Sequence, residues 1–145
     1  MRSRETPLFA ALFIFFAFAF AAACGPSQEK IEADRVLHAI NKLRDSPSEH
    51  LAGREALVTE LERVSATSPP AVKARDACAH AYRLLVDGKK LSERVAKQLA
   101  DPKTVTLEAA RDLADAESKI LESAAAMPTC ETAVADLRRP GAAGR

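Results

Sequence analysis

Three histidines, three cysteines and one acid on an apolar stripe are the residues of this chain whose chemistry could make a site. His38, His50 and His80 are isolated. None belongs to the Glu-x-x-His pattern of di-iron bundles or the His-Glu-x-x-His pattern of zinc hydrolases, both of which set two ligands on one helix face. Cys78 and His80 are two residues apart, which sends them to different faces of a helix, so no metal site is expected from them. Cys78 and Cys130 are too far apart for a Cys-x-x-Cys redox pair, and no Cys-x-x-Cys-His is present to attach haem. A haem held without a covalent bond would need an axial pair from His38, His50, His80 or Met127, in a chain with almost no aromatics to line a flat cofactor. The sequence has no Gly-x-Ser-x-Gly elbow and no glycine-rich phosphate loop. Glu117 lies between Leu113 and Ile120 on an apolar stripe. Buried there, its pKa would rise; at the stripe's edge it would reach water or pair with a cation such as Arg111, which is the expectation. No catalytic residue, metal or cofactor is expected, and the chain does not look like an enzyme.

The elements that carry these residues begin with an export signal. Arg2 and Arg4 precede a run from Leu8 to Phe20 made only of Leu, Phe, Ala and Ile, and Ala21, Ala22 and Ala23 follow it. A basic start, an apolar run and a small-residue end is the layout of a secretory signal peptide. Even Leu8 to Ala23 is 16 residues, short of the roughly 20 that span a bilayer as a helix. Lys plus Arg is 21 and Asp plus Glu is 20; a charge so nearly balanced argues against a nucleic-acid binder held by a basic field.

Ala21-Ala22-Ala23-Cys24 resembles the lipobox of bacterial lipoproteins, departing from it at Ala21, where leucine is usual. The resemblance implies that Cys24 takes a diacylglyceryl group, that the leader is cut before it, and that the new amine is acylated. Gly25 in place of aspartate implies the outer membrane. Two or three acyl chains, at about 0.8 kcal/mol per buried methylene, anchor a protein without a spanning helix. A lipidated Cys24 leaves Cys78 and Cys130 as an even pair in the oxidising periplasm, which suggests one disulfide between them. That bridge would close a loop of about 50 residues and contribute roughly 2–4 kcal/mol.

The remainder reads as helix. From Cys24 onward all six Phe are gone, Tyr82 is the one aromatic, and Ala supplies 23 residues. Apolar residues recur at three- and four-residue steps and never alternate. The first helix is expected from about Lys30 to Arg44, along Ala33, Val36, Ile40 and Leu43. The second opens on Ser46 as N-cap, with Pro47 first and Glu49 closing a capping box; its face is Leu57, Leu61 and Val64 beside Val58. Ser68-Pro69-Pro70 starts a third, along Ala71, Ala74, Cys78, Ala81 and Leu85, which Asp87-Gly88 should end with a left-handed cap. A fourth holds Leu91, Val95 and Leu99, with one helix continuing through Gly88 as the alternative. The fifth spans about Leu107 to Ala126 and should bury Ala110, Leu113, Ile120, Ala124 and Met127, widened by Leu107, Ala114 and Leu121. Pro128 should break it, and Thr129 should cap a last short helix bearing Cys130, Val134 and Leu137.

The expected organisation is a signal peptide at 1–23, a lipidated tether at 24–29, an all-α bundle of five to six helices with one disulfide at 30–139, and a disordered tail at 140–145. The expected role is a membrane-anchored, non-catalytic interaction or scaffold module of the bacterial envelope, facing the periplasm. Secretin pilotins share this general plan, small helical disulfide-bearing lipoproteins that grip a partner's helix, although no pilotin motif is present. The alternative is a helical bundle that carries a metal, haem or lipid. The expected contacts are the membrane, through the lipid on Cys24, and another envelope protein, with no nucleic acid.

Overall fold

A computed structural model describes residues 26–100 and 107–139. The expectations placed on residues 1–25, including the leader and Cys24, and on the tail at 140–145, lie outside the described residues. Four helices are present, α1 (Gln28–Asp45), α2 (Leu51–Glu62), α3 (Pro69–Leu99) and α4 (Leu107–Arg138). The all-α class holds, and the helix number is four among the described residues rather than five to six.

α1 starts where the Ser27 hydroxyl accepts from the Lys30 backbone N–H at 3.3 Å. Its buried face is Glu32, Val36, Ala39, Ile40 and Leu43, at three- and four-residue steps. Lys42 and Arg44 lie in its last turn, where cations complement the helix dipole. α2 begins later than the Ser46-Pro47-x-Glu49 signature predicts. A helix opening at Pro47 would offer the Ser46 carbonyl to the His50 N–H. Instead that carbonyl accepts from the Arg54 guanidinium at 2.8 Å, and the His50 N–H turns to the Pro47 carbonyl. Glu49 accepts from the Ser48 hydroxyl, so the capping box does not form. What sets the phase of α2 is burial of Leu51, Arg54, Val58 and Leu61, with the Arg54 guanidinium 5.8 Å from the centre of the Tyr82 ring.

The start of α3 depends on a residue far away in sequence. Pro69 and Pro70 fill the first two helical positions, where the missing N–H groups would have had no helical partner. The N–H groups just ahead of them, on Thr67 and Ser68, both donate to the Glu32 carboxylate at 2.8 Å, and the Thr67 hydroxyl donates to it as well. A buried side chain of α1 thus docks the beginning of α3.

α3 and α4 run longer than the sequence suggests, and each passes through an expected break. Gly88 does not end a helix. A Cβ there would lie 2.9 Å from Ile120 Cγ1 and 3.1 Å from the Ala116 carbonyl oxygen. The glycine lets two helices touch. Pro128 costs α4 a backbone hydrogen bond and roughly 3 kcal/mol, yet α4 continues. Cys130, Ala133 and Val134 directly after it are buried in the core, and the Thr132 hydroxyl donates to the Pro128 carbonyl at 2.9 Å. Tertiary packing outweighs the local preference.

The seam between these helices is built from small residues. On α3, Ala74, Ala81, Gly88 and Val95 recur every seven positions, and all are buried. On α4, Ala109, Ala116, Ser123 and Cys130 do the same. A seven-residue repeat keeps one line facing a partner along its whole length, as in a coiled coil. Ser123 donates across the seam to the Ala81 carbonyl at 2.8 Å. α1 and α2 add ion pairs around the bundle, Lys42–Glu60, Glu55–Lys90 and Glu62–Arg83. The pairs hold the Glu55 carboxyl below the usual range and the Arg83 guanidinium above its own. Being largely open to solvent, each pair is individually weak.

Gly53→Ala should stabilise the protein by about 0.5–1 kcal/mol, since its Cβ meets only the His50 ring at ordinary distance. Gly88→Ala should destabilise it by about 1 kcal/mol despite the same gain in helix propensity; urea denaturation separates the two signs. The Glu32 carboxyl is held down to about 2 from its ordinary 4.5 by the Ser68 N–H, then the Thr67 N–H and hydroxyl. Its contribution is therefore complete above pH 4.5 and disappears as pH falls towards 2. Glu32→Gln should lower the denaturation midpoint at pH 7, and the gap to wild type should close between pH 4.5 and 2. A gap independent of pH would refute the carboxylate dock.

A candidate docking face on the long hairpin

The helices differ in length, and that difference opens a surface. At 1.5 Å per residue α3 and α4 are about 46–48 Å long, α1 about 27 Å and α2 about 18 Å. The main core reaches along α3 only to Val86 and along α4 only from Cys130 onward, with Ala126 and Met127 at its border. Beyond that limit, Val95, Ala109 and Ala116 are buried in the seam.

Five large apolar residues of this distal half are exposed. Leu99 is 51% exposed, Leu107 69%, Leu113 44%, Ile120 37% and Leu121 70%. Four of the five belong to the stripe that the sequence assigned to the core. The structure corrects that assignment: α4 turns its small-residue line at Ala109, Ala116 and Ser123 to α3 and leaves the leucine-rich line outside. The reason is packing distance. Only small side chains let α3 and α4 approach as closely as Gly88 requires.

The exposed residues are ordered. Leu113, Ile120, Met127 and Val134 stand seven apart; Val134 is buried, Met127 is partly buried against the core, and Ile120 and Leu113 emerge from it. A second line, Leu107, Ala114 and Leu121, runs parallel to the first, and Ala110, Glu117 and Ala124 lie between them. All of these except Met127 and Val134 are exposed. Glu117 is thus at the centre of an open apolar face instead of at a core edge. Among the described residues it makes no ion pair or hydrogen bond, and Arg111 does not pair with it.

The other candidate residues do not converge. His38, His50 and His80 are each exposed. Among the described residues no three His, Cys, Asp or Glu side chains are grouped to hold a metal ion. No described helix is long and apolar enough to cross a membrane. Cys78 and Cys130 are joined in the core, their Cα atoms 4.5 Å apart, at the end of the hairpin where all four helices meet. The exposed face was findable from that bridge. Counting back by sevens from Cys130 gives Ser123, Ala116 and Ala109, the true seam, and leaves Leu113 and Leu121 without a place in it, with Ile120 at its edge beside Gly88.

Compared with known proteins, the chain matches no family model, no curated protein and no solved structure.

The bridge makes a testable claim. Non-reducing peptide mapping should recover the Cys78 and Cys130 peptides joined, and alkylatable thiols at both would refute it. The double variant Cys78→Ala/Cys130→Ala should lose about 2–5 kcal/mol in urea denaturation.

Proposed function

We propose that this chain is an exported, lipid-anchored protein of the bacterial envelope whose helical domain is a non-catalytic docking module. The observation that carries the reading is the apolar face of α4, which is left exposed among the described residues. Ordered leucine and isoleucine along a helix face is costly to leave in water, and surfaces of this kind mark interaction sites. The sequence before α1 supplies the other half of the reading, through the leader at 1–23 and the lipobox-like Ala-Ala-Ala-Cys.

The geometry of the domain suits such a tether. α1 begins at Gln28, about one turn before Glu32, and Glu32 is bound to Thr67 and Ser68 at the start of α3. The described chain therefore begins near the base of the hairpin. The exposed face lies in the opposite half, whose end at Leu99 is about 46 Å along α3 from that base. A lipid on Cys24 would hold the base at the outer-membrane surface and present the distal face to the periplasm. With two or three acyl chains such an anchor is stable.

Cell fractionation tests the tether. The wild-type chain should sediment with membranes, and Cys24→Ala should move it to the soluble fraction. Cys24→Ala protein that still pellets with membranes would overturn lipid anchoring. Leu113→Ser/Leu121→Ser tests the docking role: it should leave the unfolding free energy within about 1 kcal/mol of wild type, because both positions are exposed. It should also abolish formaldehyde adducts formed in intact cells. Adducts undiminished by that change would overturn the module.

A further inference from the structure

The open face of α4 has a form and a charge that say what fits it. Its two outer lines, Leu107–Ala114–Leu121 and Leu113–Ile120, each repeat every seven residues. A strip of that period stays straight only against another helix wound around it. The middle line is Ala110, Glu117 and Ala124, and its two alanines let a partner backbone approach closely. α4 is therefore a helix with two coiled-coil seams, one filled by α3 and one open.

Charge narrows the occupant. From Leu107 to Ala124 there are five acids and two bases, and one of the acids, Asp112, pairs with Arg94 of α3. Glu117, the one charge within the open seam, pairs with nothing among the described residues. A helix that covers it with purely apolar side chains would strand a carboxylate, which costs far more than the exposed seam does now. A cation facing it removes that cost and sets the register. An anionic bilayer surface is repelled by the same acid excess, and laying α4 on α4 of a second copy would bring two such acidic segments together.

We infer that the open seam of α4 seats a basic amphipathic helix from another protein, with a lysine or arginine among its apolar residues opposite Glu117. Leu107 to Leu121 is about 21 Å, so the seated helix spans about four turns. This rests on the reading of the domain as a docking module, and it names the partner class of that same face.

The test uses the full chain in cells that make it, with the photo-cross-linking residue benzoylphenylalanine at Leu113, at Leu121, or at Asp115 on the far side of α4 as control. Adducts are expected from positions 113 and 121 and not from 115, to one other polypeptide. Mass spectrometry of the joined peptide should show apolar residues at three- and four-residue steps with a lysine or arginine among them. Glu117→Lys should reduce the adduct at least ten-fold and Glu117→Gln less. Glu117 is exposed and unpaired, so neither change should alter the circular dichroism melt. Adducts at twice the mass of the chain, adducts to lipid, adducts no stronger than those from position 115, a joined peptide without a cation, or insensitivity to Glu117→Lys would each overturn the inference. Fractionation of Cys24→Ala reports the tether separately. Specific adducts from a chain that never pellets with membranes would remove the tether and keep the seam. A membrane-bound chain without specific adducts would remove the seam alone.

Discussion

The close approach of α3 and α4 is the constraint on which the molecule depends. Ala81 and Gly88 on one helix face Ser123 and Ala116 on the other, and at Gly88 there is no room for a methyl group beside the Ala116 carbonyl. Small side chains bury little area each, so such a seam gains its stability from dense contact along many turns. It also needs something to hold its register. The Cys78–Cys130 bridge does this at the base, where α1 and α2 add Val36, Ile40, Leu43, Val58 and Leu61 to the core. From Cys24 onward Tyr82 is the one aromatic, so the domain has few larger anchors to use.

The same constraint produces the exposed face. If α4 meets α3 with alanine and serine, its leucines must go elsewhere. In the proximal half the neighbouring line is absorbed by the core, at Met127 and Val134. In the distal half α1 and α2 have ended; Ile120 keeps one edge against Gly88, and among the described residues Leu113 is left exposed. The tight seam and the exposed apolar line are two consequences of one choice of helix face.

Electrostatics contributes positioning more than energy. The surface ion pairs are exposed and individually weak. The exception is Glu32, which is buried and accepts three hydrogen bonds from Thr67 and Ser68. It fixes the start of α3 against α1 through a start signal, Ser-Pro-Pro, that supplies few donors of its own. Arg54 plays a related part for α2, binding the Ser46 carbonyl and lying over Tyr82. In both cases a single polar side chain buried in the base decides where a helix begins.

The amino-acid sequence alone determined the all-α class, the start of α3 at the double proline and the inward direction of Cys78 and Cys130, because periodicity and proline geometry are local properties. It also carried an apolar stripe on α4 from Leu107 to Met127, with the right residues. Which way that stripe turns was not local. Two lines on α4 are apolar, and their period does not say which one meets α3; interhelical distance decides, and distance is set by Gly88 and the bridge together. The breaks expected at Gly88 and Pro128 failed for the same reason, since a local preference of 1–3 kcal/mol yields to packing on both sides of it. Ser46, Pro47 and Glu49 form a sound helix start by themselves, and only the buried Arg54 moved that start to Leu51. Hence the helices were written in the sequence, while the face of α4 left exposed was settled only when α3 and α4 closed on each other.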